Sequence, residues 1–272
     1  MRKNAIIVLA AVLCGLCTGA EEACCAAKNP PKEASVSPED TQKDSTAAIE
    51  EILSKMNAAT KKLESCQANL SYLVIQDPDL LNSSSLQNGV LFYQKTDSGS
   101  KLRIRFDDMK QDDFEPVKQR EEYLFDGVWL TRINYKLQQV DIYQQAPEDK
   151  PIGVFELISH NFPLIGFSNI NEIKNDFDIS LAPKTGDPNE LTCLLLTVKK
   201  DSDFMKDYEK MSLWVGNKLY LPEKIAAYTR QGDEHYIEFK DMKINKKLEN
   251  AVFDVETPPN FRKNIEPLRK TP

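Results

Sequence analysis

The stretch DGVWLTRINYKLQQVDIYQ, Asp126 to Gln144, decides how the rest of the chain is read. Asp126-Gly127 between apolar runs predicts a hairpin, because a tight turn with positive φ at its central residues tolerates that pair best. YLF ahead of it and VWL after it are then paired strands. A second hairpin follows, as Val128, Trp129, Leu130 and Ile133 lead into a polar bend at Asn134 to Lys136 and on to Leu137, Val140, Ile142 and Tyr143. Successive side chains of a strand point to opposite faces, so Trp129 stands back to back with Val128 and Leu130. Each face of this region therefore carries apolar residues.

Working outward, nearly everything after residue 64 reads as strand. NLSYLVIQD, QNGVLFYQK, SKLRIRFDD, REEYLFDG, FDISLA, ELTCLLLTVKK, KMSLWVGN, LPEKIAAYTR and HYIEFKDMKIN are short runs rich in β-branched and aromatic residues. Asn88-Gly89, Asp97 to Gly99, Gly216-Asn217 and Gln231-Gly232 supply turn chemistry between them. The close spacing predicts an antiparallel meander. Alternation is cleanest in KLRIRF, where Leu102, Ile104 and Phe106 share one face while Lys101, Arg103 and Arg105 take the other. Ile237 and Phe239 follow the same logic, since Glu238 and Lys240 need water. Leu91 and Tyr93 join the apolar face if Lys95 points inward. Trp129 and Trp214 fit either face.

Two segments are not strand. Ile49, Ile52, Leu53, Met56 and Leu63 fall at helical spacing behind a cap at Ser45 or Thr46, with Glu50, Glu51, Lys55, Lys61 and Lys62 opposite. PIGVFELISHNFPLIGFSN, Pro151 to Asn169, carries Phe155, Leu157, Ile158 and Phe162 with almost no charge and predicts a short helix plus apolar loop. It reads equally as a buried crossover and as a movable lid. The fold class is mainly β with helices (α+β), a curved antiparallel sheet with one face covered by helices. Whether that face packs solid or encloses a cavity is left open by periodicity.

The N-terminus has Arg2 and Lys3, an apolar run from Ala5 to Leu16, and Thr18-Gly19-Ala20. These predict a signal peptide over residues 1–20 and export of the protein to the periplasm. Residues 21–45 are rich in Pro, Lys, Glu and Ser and predict a disordered tether. The folded domain is then 46–262, with 263–272 as a C-terminal tail. Cys14 and Cys17 have redox spacing but lie in the signal. Neither Cys17, after Leu16, nor Cys24, with Glu21 three residues before it, suits lipidation. Cys66 and Cys193 sit in apolar patterns as unpaired thiols.

Chemistry-bearing patterns are sparse. The net charge of −7 without a basic stripe argues against nucleic acid. The two histidines, His160 and His235, belong to no hydrolase, nucleotide-binding or metal motif. Asp107, Asp108, Asp112 and Asp113 cluster without the spacing of a calcium loop and read as a solvated turn. No catalytic residue, metal or cofactor is expected, and the protein is not expected to be an enzyme.

Three stretches in order carry a family resemblance. Gly89 to Lys95 followed by KLRIRF, Asp126 to Leu130 with Gln138-Gln139-Val140, and Phe239 to Phe261 are similar to the opening hairpin, the second hairpin and the proline-marked close of the LolA family of periplasmic lipoprotein carriers, related in fold to LolB and RseB. The resemblance implies an incomplete β-barrel closed by helices and a monomeric carrier. Its apolar cavity, lined by Leu91, Tyr93, Leu102, Ile104, Phe106, Ile237 and Phe239, would hold acyl chains of lipoproteins or lipids. The apolar side opposite the solvent then reads as the one for cargo, and the outer apolar residues as ordinary surface or interface. Phe155, Leu157, Ile158 and Phe162 would form the lid. It implies an inner-membrane lipoprotein-releasing transporter and an outer-membrane acceptor as partners, or, on the RseB side, an envelope sensor or scaffold with a protein partner. The family's lid-latching arginine corresponds to Lys95, and the residue after Pro258-Pro259 is Asn260 where the family favours glycine.

Overall fold

A computed structural model describes residues 38–97, 99–161, 170–183 and 191–268, with side chains described for 46–97, 99–157, 173–183 and 191–268. The expected signal sequence, Cys24, Cys25 and Phe162 lie outside these residues, as do the side chains of Ile158 and His160.

Helix α1 spans Pro38–Lys61. It starts ahead of the cap expected at Ser45 or Thr46, so the last part of the expected tether is helical. Strands β1 (Ser65–Gln76), β2 (Ser83–Thr96), β3 (Gly99–Gln111), β4 (Val117–Phe125), β5 (Trp129–Asn134) and β6 (Gln139–Gln144) form one meander, followed by helices α2 (Val154–Asn161) and α3 (Ile170–Asp176). A second meander then runs through β7 (Phe177–Leu181), β8 (Thr192–Val198), β9 (Tyr208–Val215), β10 (Pro222–Thr229) and β11 (Glu234–Ile244), and a last strand, β12 (Arg262–Glu266), follows. β1 pairs with β11, which joins the two meanders into one 12-stranded sheet in the order β12-β6-β5-β4-β3-β2-β1-β11-β10-β9-β8-β7. The sheet has two free edges, so the barrel is incomplete.

The twelfth strand corrects the expected C-terminal tail. β12, Arg262–Glu266, pairs in parallel with β6. Its side chains are all exposed, so backbone hydrogen bonds and the Arg262 Nη2 to Gln139 Oε1 contact at 3.0 Å hold it, and no hydrophobic pattern announces it.

Asn88-Gly89 is also corrected, because it lies inside β2 and not at a turn. A Cβ on Gly89 would meet the Arg105 carbonyl oxygen at 1.9 Å, so the glycine lets β3 cross close over β2. Register shifts fall at Asn88/Gly89, at Gln67/Asn69 in β1 and at Phe106/Asp108 in β3. The extra residues fall on β3, β11 and β4 respectively, and bulges of this kind bend the strands that carry them. The turn at Asp126-Gly127 differs in detail from expectation. Only Gly127 has positive φ, +108°, and Asp126 instead caps it by accepting the N–H groups of Val128 and Trp129, both at 2.8 Å. Leu137, expected in a strand, is exposed in the β5–β6 turn.

Both faces of the opening stretch are covered. Leu130 faces inward with α2, in a cluster with Tyr93, Leu102, Phe125, Tyr143, Val154 and Leu157. Outward, Ile133 and Val140 are paired and fully buried. On that side Arg103 Nη1 donates to the Val252 carbonyl at 2.6 Å, and the Tyr135 and Phe261 rings meet at 5.6 Å. The C-terminal segment therefore forms the outer cover. Trp129 has the outward parity of Ile133, and Trp214, outward from Leu213, lies 5.0 Å beneath Lys224 Nζ.

Candidate functional site

Strand register places the inner face in three rungs. The first reads Cys66, Tyr93, Leu102, Phe125, Leu130, Tyr143; the second Ala68, Leu91, Ile104, Tyr123, Arg132, Asp141; the third Phe239, Leu70, Gly89, Phe106, Glu121, Asn134, Gln139. All seven residues expected to line a cavity share this face, Ile237 being paired with Tyr72 beyond the third rung. The first rung is apolar throughout. The second and third turn polar at their β5 and β6 ends.

Helices divide the cover. Ile49, Leu53 and Met56 of α1 pack on Leu194, Leu196, Met211, Leu213 and Ile225 of the second meander. Val154 and Leu157 of α2 pack on the first rung, and the Phe155 ring lies 5.0 Å from that of Tyr93. Between them Leu91, Ile104, Ile237 and Phe239 are only partly buried, and Phe239 touches all three apolar clusters. These four residues form a half-covered apolar strip on the inner face of β3, β2 and β11, crossed by the buried Ala68, Leu70 and Tyr72 of β1.

The fastening of α2 rests on Ser100. Its Oγ accepts the Val154 N–H at 2.7 Å, and the Gly127 carbonyl accepts the Ile152 N–H at 2.9 Å. Lys95 is placed differently from the latch inferred by resemblance: it is half exposed and pairs with Glu64 at 3.0 Å. Ser100 has the same parity as Leu102 and is 4% exposed. That parity was the sequence signal for it.

Chemistry elsewhere is quiet. Burial pushes the Cys66 thiol up to about 11 and raises Cys193 as well, so neither free thiol is an activated nucleophile. His235 is buried with Nδ1 2.8 Å from the Tyr72 hydroxyl, and burial lowers its pKa. The aspartates of the β3–β4 end are engaged locally: Asp107 with Arg105 at 3.0 Å, Asp108 with Asn88 at 3.0 Å, and Asp112 with the Ser84 N–H at 2.6 Å. Among the described residues no group of three or more His, Cys, Asp and Glu side chains could hold a metal ion. No described helix is long and apolar enough to cross a membrane.

The polar end of the inner face escaped sequence reasoning. Glu121, Arg132, Asn134 and Asp141 are each at most 5% exposed. Arg132 Nε donates to Glu121 at 2.5 Å, Tyr123 donates to the same carboxylate at 3.0 Å, and Gln139 donates to Asp141 at 2.6 Å. Burial pushes the Tyr123 phenol well above its ordinary value, helped by Glu121, so it stays a donor.

No family model matches the chain, and no curated protein does. Solved structures are similar at low identity. An uncharacterized conserved protein from Thermus thermophilus is 11% identical, with a TM-score of 0.46 over 80% of this chain and 99% of the other. The Pseudomonas aeruginosa MucA/MucB complex matches at 11% identity and a TM-score of 0.42, over 76% of this chain and 60% of that one. A LolA superfamily protein from Nitrosomonas europaea is 15% identical, with a TM-score of 0.32 over 76% of this chain and 97% of the other. Likenesses of this size say nothing of ligand or partner.

Proposed function

We propose that the protein is a non-enzymatic periplasmic carrier that holds acyl chains of lipids or lipoproteins against the inner face of its half-barrel and moves them toward the outer membrane. The observation that carries the reading is the half-covered strip of Leu91, Ile104, Ile237 and Phe239 between two helical covers. Leu91 and Ile104, paired on the second rung, and Ile237 and Phe239 on β11, beyond β1, are partly buried apolar side chains on one face of a sheet bent by register shifts, and they match an alkyl chain in chemistry. Burying such a chain is favourable by about 0.8 kcal/mol per methylene. Release then requires the cover to open. α2 suits that role: its first turn is held by the Val154 N–H to Ser100 Oγ hydrogen bond, and Val154, Phe155 and Leu157 pack over the first rung.

The reading is tested with Phe155→Asp. Phe155 is partly exposed in α2, so the change leaves the sheet core intact while placing a charge over the first rung. The expected outcome is at least a tenfold loss of affinity for a fluorescent monoacylglycerol with an unchanged far-ultraviolet circular dichroism spectrum. Unaltered binding in the folded variant would contradict the assignment of α2 as the cover.

A further inference from the structure

An acyl chain explains the apolar part of the inner face but not its polar end. Resting on the carrier reading above, we infer that Arg132, Glu121 and Asp141 form the headgroup end of the site and that they select lipids whose headgroup carries no net negative charge, such as monoacylglycerols, over free fatty acids. Arg132 is 5% exposed and spends Nε on Glu121, while its Nη2 has no hydrogen-bond partner among the described residues. A buried donor without an acceptor is costly, and an ester carbonyl would supply one. Tyr123 and Gln139 already donate to the two carboxylates, and a glycerol hydroxyl has the donor that the remaining carboxylate oxygens accept.

Charge sets the selectivity. The three buried ionic side chains are one cation and two anions, so the cluster is net negative. A fatty-acid carboxylate entering it would add a second uncompensated negative charge in a poorly solvated place, which is strongly opposed. The register fits a single ligand, because the second rung runs without interruption from Leu91 through Ile104 and Tyr123 to Arg132. A chain lying on the apolar strip thus has its polar end beside the arginine.

The test is competition at pH 7.5 between mono-oleoylglycerol and oleate, which share the same chain, on the purified protein. The expected result is at least a tenfold preference for mono-oleoylglycerol. Asp141→Asn and Glu121→Gln each remove one negative charge at constant shape, and each should bring the ratio close to one by strengthening oleate binding. Circular dichroism checks that each variant is folded, so either one suffices. Equal or tighter binding of oleate by the unaltered protein overturns the inference while leaving the carrier reading standing, as does an unchanged ratio in the folded variants. Binding of neither ligand overturns both.

Discussion

Glu121 and Glu122 are neighbours in β4 that point to opposite faces of the sheet, and their surroundings differ in kind. Outward, Glu122 is fully buried and every contact closes on itself: Arg103 Nε at 2.8 Å, the Tyr135 hydroxyl at 3.1 Å, and Arg120. Arg103 in turn holds the Val252 carbonyl. That cluster is complete without any ligand and ties the C-terminal segment to the sheet. Inward, the pair of Glu121 and Arg132 leaves one guanidinium nitrogen unpartnered among the described residues. Side by side, the two glutamates separate a buried charge that holds the fold together from one arranged for something else.

The largest expected effect breaks the outer member. Glu122→Ala leaves Arg103, a mostly buried cation, without its counter-charge, and removing one partner of a buried pair costs about 3 kcal/mol. Urea unfolding should show that loss while monoacylglycerol binding by the folded fraction stays unchanged. A fall in binding instead would merge the two clusters into one functional unit.

A smaller effect concerns the neutral pair on the inner face. Burial holds the His235 imidazole below its ordinary value of 6.5, against the opposing charge of Asp233. The folded state therefore favours the neutral ring. Its stabilising contribution is full above about pH 6.5 and is lost as pH falls through the lowered folded value. The unfolding midpoint should drop from pH 7 to pH 5, and His235→Gln should flatten that part of the profile. An equally steep profile in the variant would place the acid sensitivity elsewhere.

The smallest effect is expected at Lys95. Its ion pair with Glu64 is largely solvated, so Lys95→Ala should change stability by less than about 0.5 kcal/mol. Ligand release, followed by stopped-flow fluorescence, should keep its rate. Faster release would give Lys95 a latching role despite its exposure.

The contrast between the glutamates also marks what could be read in the sequence. Parity in KLRIRF placed Leu102, Ile104 and Phe106 correctly, because alternating Lys and Arg leave a strand no other choice of face. The same rule applied to WLTRIN puts Arg132 beside Leu130, yet an arginine in that pattern reads as the wet side. Only three-dimensional pairing with Glu121 lets it be buried. Gly89 has the letters of a turn and the role of a close crossing, a distinction set by the neighbouring strand's approach. β12 was illegible for a different reason: Arg262 to Glu266 are all exposed, so backbone bonds and one polar contact, Arg262 to Gln139, place them in the sheet without any hydrophobic pattern. Of the expected lid, Phe155 and Leu157 meet the first rung, while Phe162 lies outside the described residues.

The most direct test of the central claim, that the inner face holds an acyl chain, is native mass spectrometry with lipid extraction of the protein purified from a periplasm without detergent. The account predicts a bound acyl species near one per chain, lost on Phe155→Asp and recovered in the extract as a lipid without net negative charge. A clean unliganded mass that also persists after incubation with monoacylglycerol would mean that the strip of Leu91, Ile104, Ile237 and Phe239 is closed core, and the carrier reading would fall.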